Sequence, residues 1–288
     1  MNYSASFHTS TRDEPSCIVA LHGSLGSGRQ WAPLIAALGH RHRVLAPDIS
    51  GYGAGTLAVH APATLASEVE FLGSQLASLP GAVHLVGHSY GGAIAFRIAT
   101  ASRFATRVRS LTLIEPILPD ILIEEAQDRH LYEQFATLAN RICKTLWGGD
   151  TTAALDHFLT FWNGRQASAG LSPQARLRLE RCADKLAFDF TAAFAEAGVR
   201  EAARRFIAPA LLFSGGRSPL VTQRMAARLA STIANAREIH VPSAGHMLAV
   251  THAAELIPDI ADHIADADER AARAAKAPAC APQFALSS

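Results

Sequence analysis

The chain has 288 residues, of which 49% are hydrophobic and 18% charged, with a formal net charge of +1. That length fits one large domain, or one domain carrying a sizeable insertion, and that composition excludes a disordered chain. The near-neutral balance offers no field for nucleic acid or an acidic surface, so a small molecule is the expected partner.

The opening stretch, MNYSASFHTSTRDEPS, lacks a basic region followed by an apolar one, so no signal peptide is read there. No apolar run reaches the ~18–20 residues needed to cross a bilayer. Cys17, Cys143, Cys182 and Cys280 are scattered without CxxC or metal-ligand spacing, a pattern of reduced thiols that predicts a cytoplasmic protein. The 13 histidines form no HxxxH or HExxH pair on a helical segment, so no metal is expected.

Short apolar runs alternate with longer helical patterns along the chain. CIVALH (17–22) predicts a first strand, the pattern over 28–38 a helix, and RVLAP (43–47) a second strand. A helix over 64–78, a strand at AVHLVG (82–87), a helix over 90–102 and a strand at RSLTLIE (109–115) follow. After a long interval come ALLFSG (210–215), a helix over 220–231, REIHVP (237–242) and a helix over 251–264. Most strands read as continuous apolar runs, as strands buried on both faces do, and the alternation predicts a mostly parallel sheet covered on both sides.

The rhythm breaks between Glu115 and Pro209. That interval carries only helical patterns, at 124–146, 151–162 and 173–205, broken by Gly148–Gly149 and Asn163–Gly164. An all-helical insertion of this kind is expected to cap the C-terminal ends of the strands, where such sheets bind ligands. Its aromatic residues, Phe135, Trp147, Phe158, Phe161, Trp162, Phe188, Phe190 and Phe194, are expected mostly to pack this cap onto the core, with a few lining a pocket. The predicted division is therefore a core of 1–115 with 206–265, a cap of 116–205, and an Ala-rich tail of 266–288 that prolongs the last helix and then frays.

The sharpest chemical signal is Gly87-His88-Ser89-Tyr90-Gly91, placed directly between a strand and a helix. A serine in that position takes a strained turn, which demands small residues two before and two after it. The turn lifts the hydroxyl clear of the sheet and aims the next helix's N-terminus at the reacting atom. Ser89 is thus the candidate nucleophile. The backbone N–H of Tyr90 is the candidate for one oxyanion donor. The second is expected from the loop after the first strand, His22-Gly23-Ser24-Leu25, with Ser24 preferred and Leu25 the near alternative. The base is expected at His246, in Pro242-Ser243-Ala244-Gly245-His246-Met247, on the loop between the last strand and the last helix. His22, His84 and His88 read as structural.

LHGSLGS, APDISGYG, LVGHSYGG, the helical insertion and PSAGHM, in that order over roughly 15–265, together resemble the α/β-hydrolase fold superfamily. The resemblance implies an eight-stranded, mostly parallel sheet flanked by helices, or a seven-stranded one given the short N-terminus. It also implies a helical cap and a triad in the order Ser, acid, His. In many members the acid sits in the loop after the strand that follows the cap; here that stretch is Gly215-Gly216-Arg217-Ser218-Pro219, with Ser218 at the acid's place. A hydroxyl cannot balance an imidazolium as a carboxylate does.

Glu115 is the expected replacement. It closes the strand next to the one feeding Ser89, about 4.8 Å away, keeps the chain order, and precedes Pro116, which is expected to hold it in extended backbone. Asp48, in APDISGYG, reads as a structural turn residue. The expected chemistry is acyl transfer without metal or organic cofactor, on carboxylic esters of a small to medium, partly apolar substrate. Two alternatives stand beside it: hydrolysis of carbon–carbon bonds in diketone-like substrates on the same triad, and a non-catalytic ligand-binding protein on the same fold.

Overall fold

Each of the six apolar runs forms a strand in the computed structural model, which describes residues 16–53, 64–164 and 170–276. β1 (Cys17–Leu21), β3 (Val83–His88) and β5 (Ala210–Gly215) are buried along their whole length. β4 (Val108–Ile114) is buried apart from one partly exposed position. β2 (Arg43–Leu45) and β6 (Ala236–Val241) are partly exposed, and they form the two edges of a single sheet ordered β2-β1-β3-β4-β5-β6. Every pairing among the described residues is parallel.

The sheet has six strands among the described residues, not the expected eight or seven. The predicted runs supply these six, and any further leading strand would fall in residues 1–15, outside the described part of the chain.

Helices cover both faces because the side chains of each strand alternate between them. On one face Val19, Leu21, Leu85, Leu111 and Leu212 pack with α4 (Tyr90–Ala101), α2 (Leu65–Phe71) and α10 (Leu220–Thr232). On the other, Ile18, Ala20, Val86, Leu211 and Phe213 meet Leu34 and Leu38 of α1 (Ala32–Leu38) and Leu256, Ile260 and Ile264 of α12 (Ala253–Lys276). The short helices α3 (Gly73–Ala77) and α11 (Leu248–Thr251) complete the layers.

The last helix continues past the expected 264 to Lys276. Asp268 on it accepts hydrogen bonds from Ser16 (2.8 Å) and Arg109 (2.5 Å) and lies 3.2 Å from Nε2 of the buried His84. These contacts tie the start of the Ala-rich stretch to the sheet. The remainder of that tail lies outside the described residues. No described helix is long and apolar enough to cross a membrane.

Among the described residues, five α-helices run between β4 and β5: α5 (Arg129–Trp147), α6 (Thr151–Asn163), α7 (Pro173–Glu180), α8 (Lys185–Ala195) and α9 (Val199–Arg205). Asp150 and Ser172 cap α6 and α7 by accepting the N–H of Ala153 and Ala175. Phe135 is the hub of the insertion's aromatic core, with the rings of Phe161, Trp162, Phe190 and Phe194 between 5.5 and 6.0 Å from its own. Trp147, in contrast, is largely exposed.

The strand order itself locates the site. From β1 the chain steps outward to β2, then returns to the other side of β1 to form β3, so the loops leaving β1 and β3 diverge. The crevice at such a switch point, outside the carboxyl ends of the strands, is where parallel sheets bind ligands.

Candidate active site

Ser89 sits at the tip of β3 with φ 55° and ψ −122°, a left-handed conformation that is costly for any residue but glycine. The turn closes only because its neighbours lack side chains. A Cβ on Gly87 would lie 2.5 Å from the Gly91 carbonyl oxygen, and one on Gly91 would lie 2.3 Å from that of His22. The Ser89 N–H donates to the Ile114 carbonyl (2.9 Å), while its own carbonyl accepts from Gly92, Ala93 and Ile117. The strained serine is thus held from both sides.

The three residues singled out as nucleophile, base and acid come together. His246 Nε2 lies 3.0 Å from Ser89 Oγ, and His246 Nδ1 lies 2.6 Å from Glu115 Oε2. The second carboxylate oxygen of Glu115 accepts the Gly215 N–H at 2.7 Å. Glu115 is fully buried, and Ser89 and His246 nearly so. Burial pushes the Glu115 carboxyl up, but the hydrogen bond and charge of His246, aided by Ser218 and the Gly215 N–H, outweigh it and hold the carboxyl below its ordinary range. Ser218 is buried in the loop after β5, and the Gly215 N–H at the end of that strand binds the carboxylate, so this segment supports an acid that it does not supply.

One expectation fails at Glu115. Its φ is 45°, in the left-handed region, and not the extended backbone that the following proline predicts. Its N–H still donates to the Phe213 carbonyl as the last rung beside β5, and Ile117 already donates back to Ser89. The chain must turn sharply between those two anchors, and the turn falls on Glu115.

Support for His246 comes from two rings. His88 Nε2–H donates to the His246 carbonyl at 2.8 Å, and the amide of Gln30 lies 3.2 Å from His88 Nδ1. Burial, then the nearby His246, pushes the His88 pKa down to about 3, so this ring is neutral. On the other side Trp162, from the end of α6, stacks on His246 with ring centroids 4.0 Å apart and planes 23° apart.

The loop after β1 passes in front of Ser89, with Leu25 at φ 60°. Ser24 and Tyr90 both line the space beside Ser89. The Ser24 side chain donates to Asp189 Oδ2 at 2.5 Å, and Tyr52 donates to the same oxygen at 2.5 Å. Lys185 binds the other oxygen of Asp189 and reaches Glu68 Oε1 at 2.7 Å, which also accepts from the Tyr90 hydroxyl at 3.1 Å. Burial raises the Glu68 pKa to about 7 against the pull of Lys185. The sequence reading missed this buried cluster. Its signal was present: Lys185 and Asp189, four apart in the otherwise apolar KLAFDFTAAFA, are two charges that a buried helix tolerates only when paired.

The residues read as structural take structural places. His22 Nδ1–H donates to the Gly23 carbonyl and Nε2 accepts the Ile49 N–H, while His84 lies 2.8 Å from the Ser110 hydroxyl. Asp48 accepts the Gly28 N–H, and a Cβ on Gly53 would overlap its carboxylate.

The alpha/beta hydrolase fold family model matches residues 17–253. A 109-residue stretch is 31% identical to the chloroplastic protein PHYLLO of Arabidopsis thaliana, covering 35% of this chain and 6% of that one. Another of 103 residues is 35% identical to lipase LipV of Mycobacterium tuberculosis, covering 35% of this chain and 38% of that one. The matches thus span well under half of these relatives' length. An enol-lactonase structure from Burkholderia xenovorans superposes with a TM-score of 0.67 at 22% identity, covering 88% of this chain and 92% of that one. Matched over most of its length by the family model and laid out as a parallel sheet with helices on both faces, the chain belongs to the alpha/beta hydrolase fold family.

Proposed function

We propose that the protein is a serine hydrolase that cleaves carboxylic esters of small to medium, partly apolar substrates through an acyl-enzyme. The observation that carries this reading is the unbroken hydrogen-bonded line from Glu115 through His246 to Ser89, with distances of 2.6 and 3.0 Å. His246 removes the Ser89 proton as the hydroxyl attacks the ester carbonyl, while Glu115 fixes the ring's tautomer and balances the imidazolium. The backbone N–H groups of Tyr90 and Ser24 receive the developing oxyanion. His246 then protonates the departing alcohol, and the same ring activates the water that releases the acid.

The helices of 116–205 act as a cap over a core built from 1–115 and 206–265. Trp162 and Phe158 of α6 line the space in front of Ser89, which supports that assignment. The names of two similar proteins, a lipase and an enol-lactonase, point to ester cleavage as well.

The test is hydrolysis of p-nitrophenyl esters together with labelling by a fluorophosphonate probe. Wild-type protein should turn over the ester and be labelled at Ser89, and Ser89→Ala should lose both. Folded wild-type protein that is neither labelled nor active would reject the reading. Turnover of a vinylogous diketone without ester cleavage would replace it with carbon–carbon bond hydrolysis.

A further inference from the structure

Ser89 stands between two compartments of unequal size. The larger, about 160 Å³, is walled by Leu25, Leu159, Trp162, Leu179 and Met247, and His246 faces it. The smaller, about 20 Å³, shares Ser24, Ser89, Phe158 and Trp162 with the larger and is closed off by Tyr90, Ile117, Asp189, Phe190 and Ala193; His246 has no part in its wall. An ester bound for attack must send its two arms in different directions from the carbonyl carbon. The leaving oxygen has to take the proton carried by His246, so the alcohol arm lies on the His246 side, in the larger compartment. The acyl chain is left with the smaller one.

Size then decides the substrate. A space of roughly 10–15 Å³ holds one water-sized group, so with the carbonyl oxygen turned to the Ser24 and Tyr90 edge of this space, the Ile117 and Ala193 side accepts little more than a methyl. Its walls have little freedom to retreat. Ile117, Phe190 and Ala193 are buried, and the Phe190 ring packs edge-on against Phe135 and Phe158 with centroids 5.9 and 6.3 Å away. Asp189 is tied by Ser24, Tyr52 and Lys185 at once. The larger compartment sets six apolar side chains beside polar ones such as Gln30 and Asn163, and suits a mostly apolar alcohol.

We propose that the enzyme takes esters of short acyl groups, acetyl foremost, on a larger apolar alcohol, with Ile117, Phe190 and Ala193 setting the acyl limit. The proposal rests on the ester-hydrolase reading above. Its test compares p-nitrophenyl acetate, butyrate and octanoate, which share one leaving group. Because a methylene too many in a closed pocket costs about tenfold or more, kcat/KM should fall by at least about tenfold from acetate to butyrate and further to octanoate. Ile117→Ala, which enlarges only the small compartment, should raise the butyrate-to-acetate ratio by about fivefold or more. Phenethyl acetate should show a lower KM than ethyl acetate.

Butyrate or octanoate turned over as well as acetate by wild-type protein, with Ser89 labelled by the fluorophosphonate, would overturn the acyl limit and leave the hydrolase reading intact. Absence of both labelling and ester turnover would remove the two together. The wild-type series decides the matter by itself if the Ile117 variant does not fold.

Discussion

The indole of Trp162 lies face to face with the imidazole of His246, centroids 4.0 Å apart, so a residue of the helical insertion forms one wall of the base's position. In the proposed mechanism His246 takes the Ser89 proton, and its positive charge would develop against that π face, an interaction worth ~0.5–2 kcal/mol. Replacing Trp162 with Leu should lower kcat by about 2- to 30-fold, and Phe, which keeps a face, should lose less than Leu. Steady-state kinetics on a p-nitrophenyl ester will show the order; Leu equal to wild type would mean that the stack only packs.

Removing the Glu115 charge isolates its part. Glu115→Gln keeps the shape but cannot balance an imidazolium, and kcat should fall by roughly 10⁴-fold, as for the acid-to-amide change in another triad. If Ser218→Asp is combined with Glu115→Ser, a carboxylate returns from the neighbouring loop, and part of that loss should be regained. Glu115 also links acid to stability. Its folded pKa lies below the unfolded value of about 4.3, so its contribution is present above that pH and is lost as pH falls through the folded pKa. The Gln variant should lack this portion of the acid transition. Near wild-type activity in Glu115→Gln would remove Glu115 from the mechanism.

Lys185 is fully buried between two carboxylates. Lys185→Met leaves both without a cation, and breaking a buried pair in this way costs about 3–5 kcal/mol. Combining it with Glu68→Gln and Asp189→Asn should recover much of the loss, because no uncompensated charge then remains. Urea unfolding of the single and triple variants measures the difference, and equal midpoints would show that the unpaired carboxyls carry no cost in the fold.

At the opposite end of the sheet, Asp268 gathers Arg109, Ser16 and His84. Burial pushes its carboxyl up, but these partners outweigh that and hold it well below its ordinary range. Its stabilising effect is therefore complete above the unfolded pKa of about 3.9 and fades as pH falls further. Burial also lowers the folded pKa of His84, which adds a cost as pH drops below about 6.5. Asp268→Asn should lose roughly 1–3 kcal/mol at pH 7, allowing for its partial exposure, with the gap to wild type closing below about pH 4. Thermal unfolding across pH 3–8 follows this; a constant gap would mean the loss is packing.

Much of this was legible in the chain because local rules decide it. Six β-branched or apolar runs became strands, and the four in the middle of the sheet are buried as their composition predicts. Ser89 was readable from two glycines at fixed offsets, since only a residue without a side chain fits against the His22 and Gly91 carbonyls. That the Glu115 carboxylate would stand beside His246 followed from the serine at 218 and from its place at the end of β4. The count of eight strands did not hold among the described residues, because it came from resemblance and not from apolar runs.

What the sequence by itself determined is therefore the alternation of strands and helices, the strained turn at Ser89, and the set of residues able to act as base and acid. Only the tertiary structure decided that His246, 157 residues from Ser89 and 131 from Glu115, bridges the two. It also decided that Trp162 faces His246, and that Lys185 and Asp189 point inward beneath Ser24. These depend on how α6 and α8 are rotated over the strand ends. That rotation is set by packing among many distant side chains, and no local pattern along the chain encodes it.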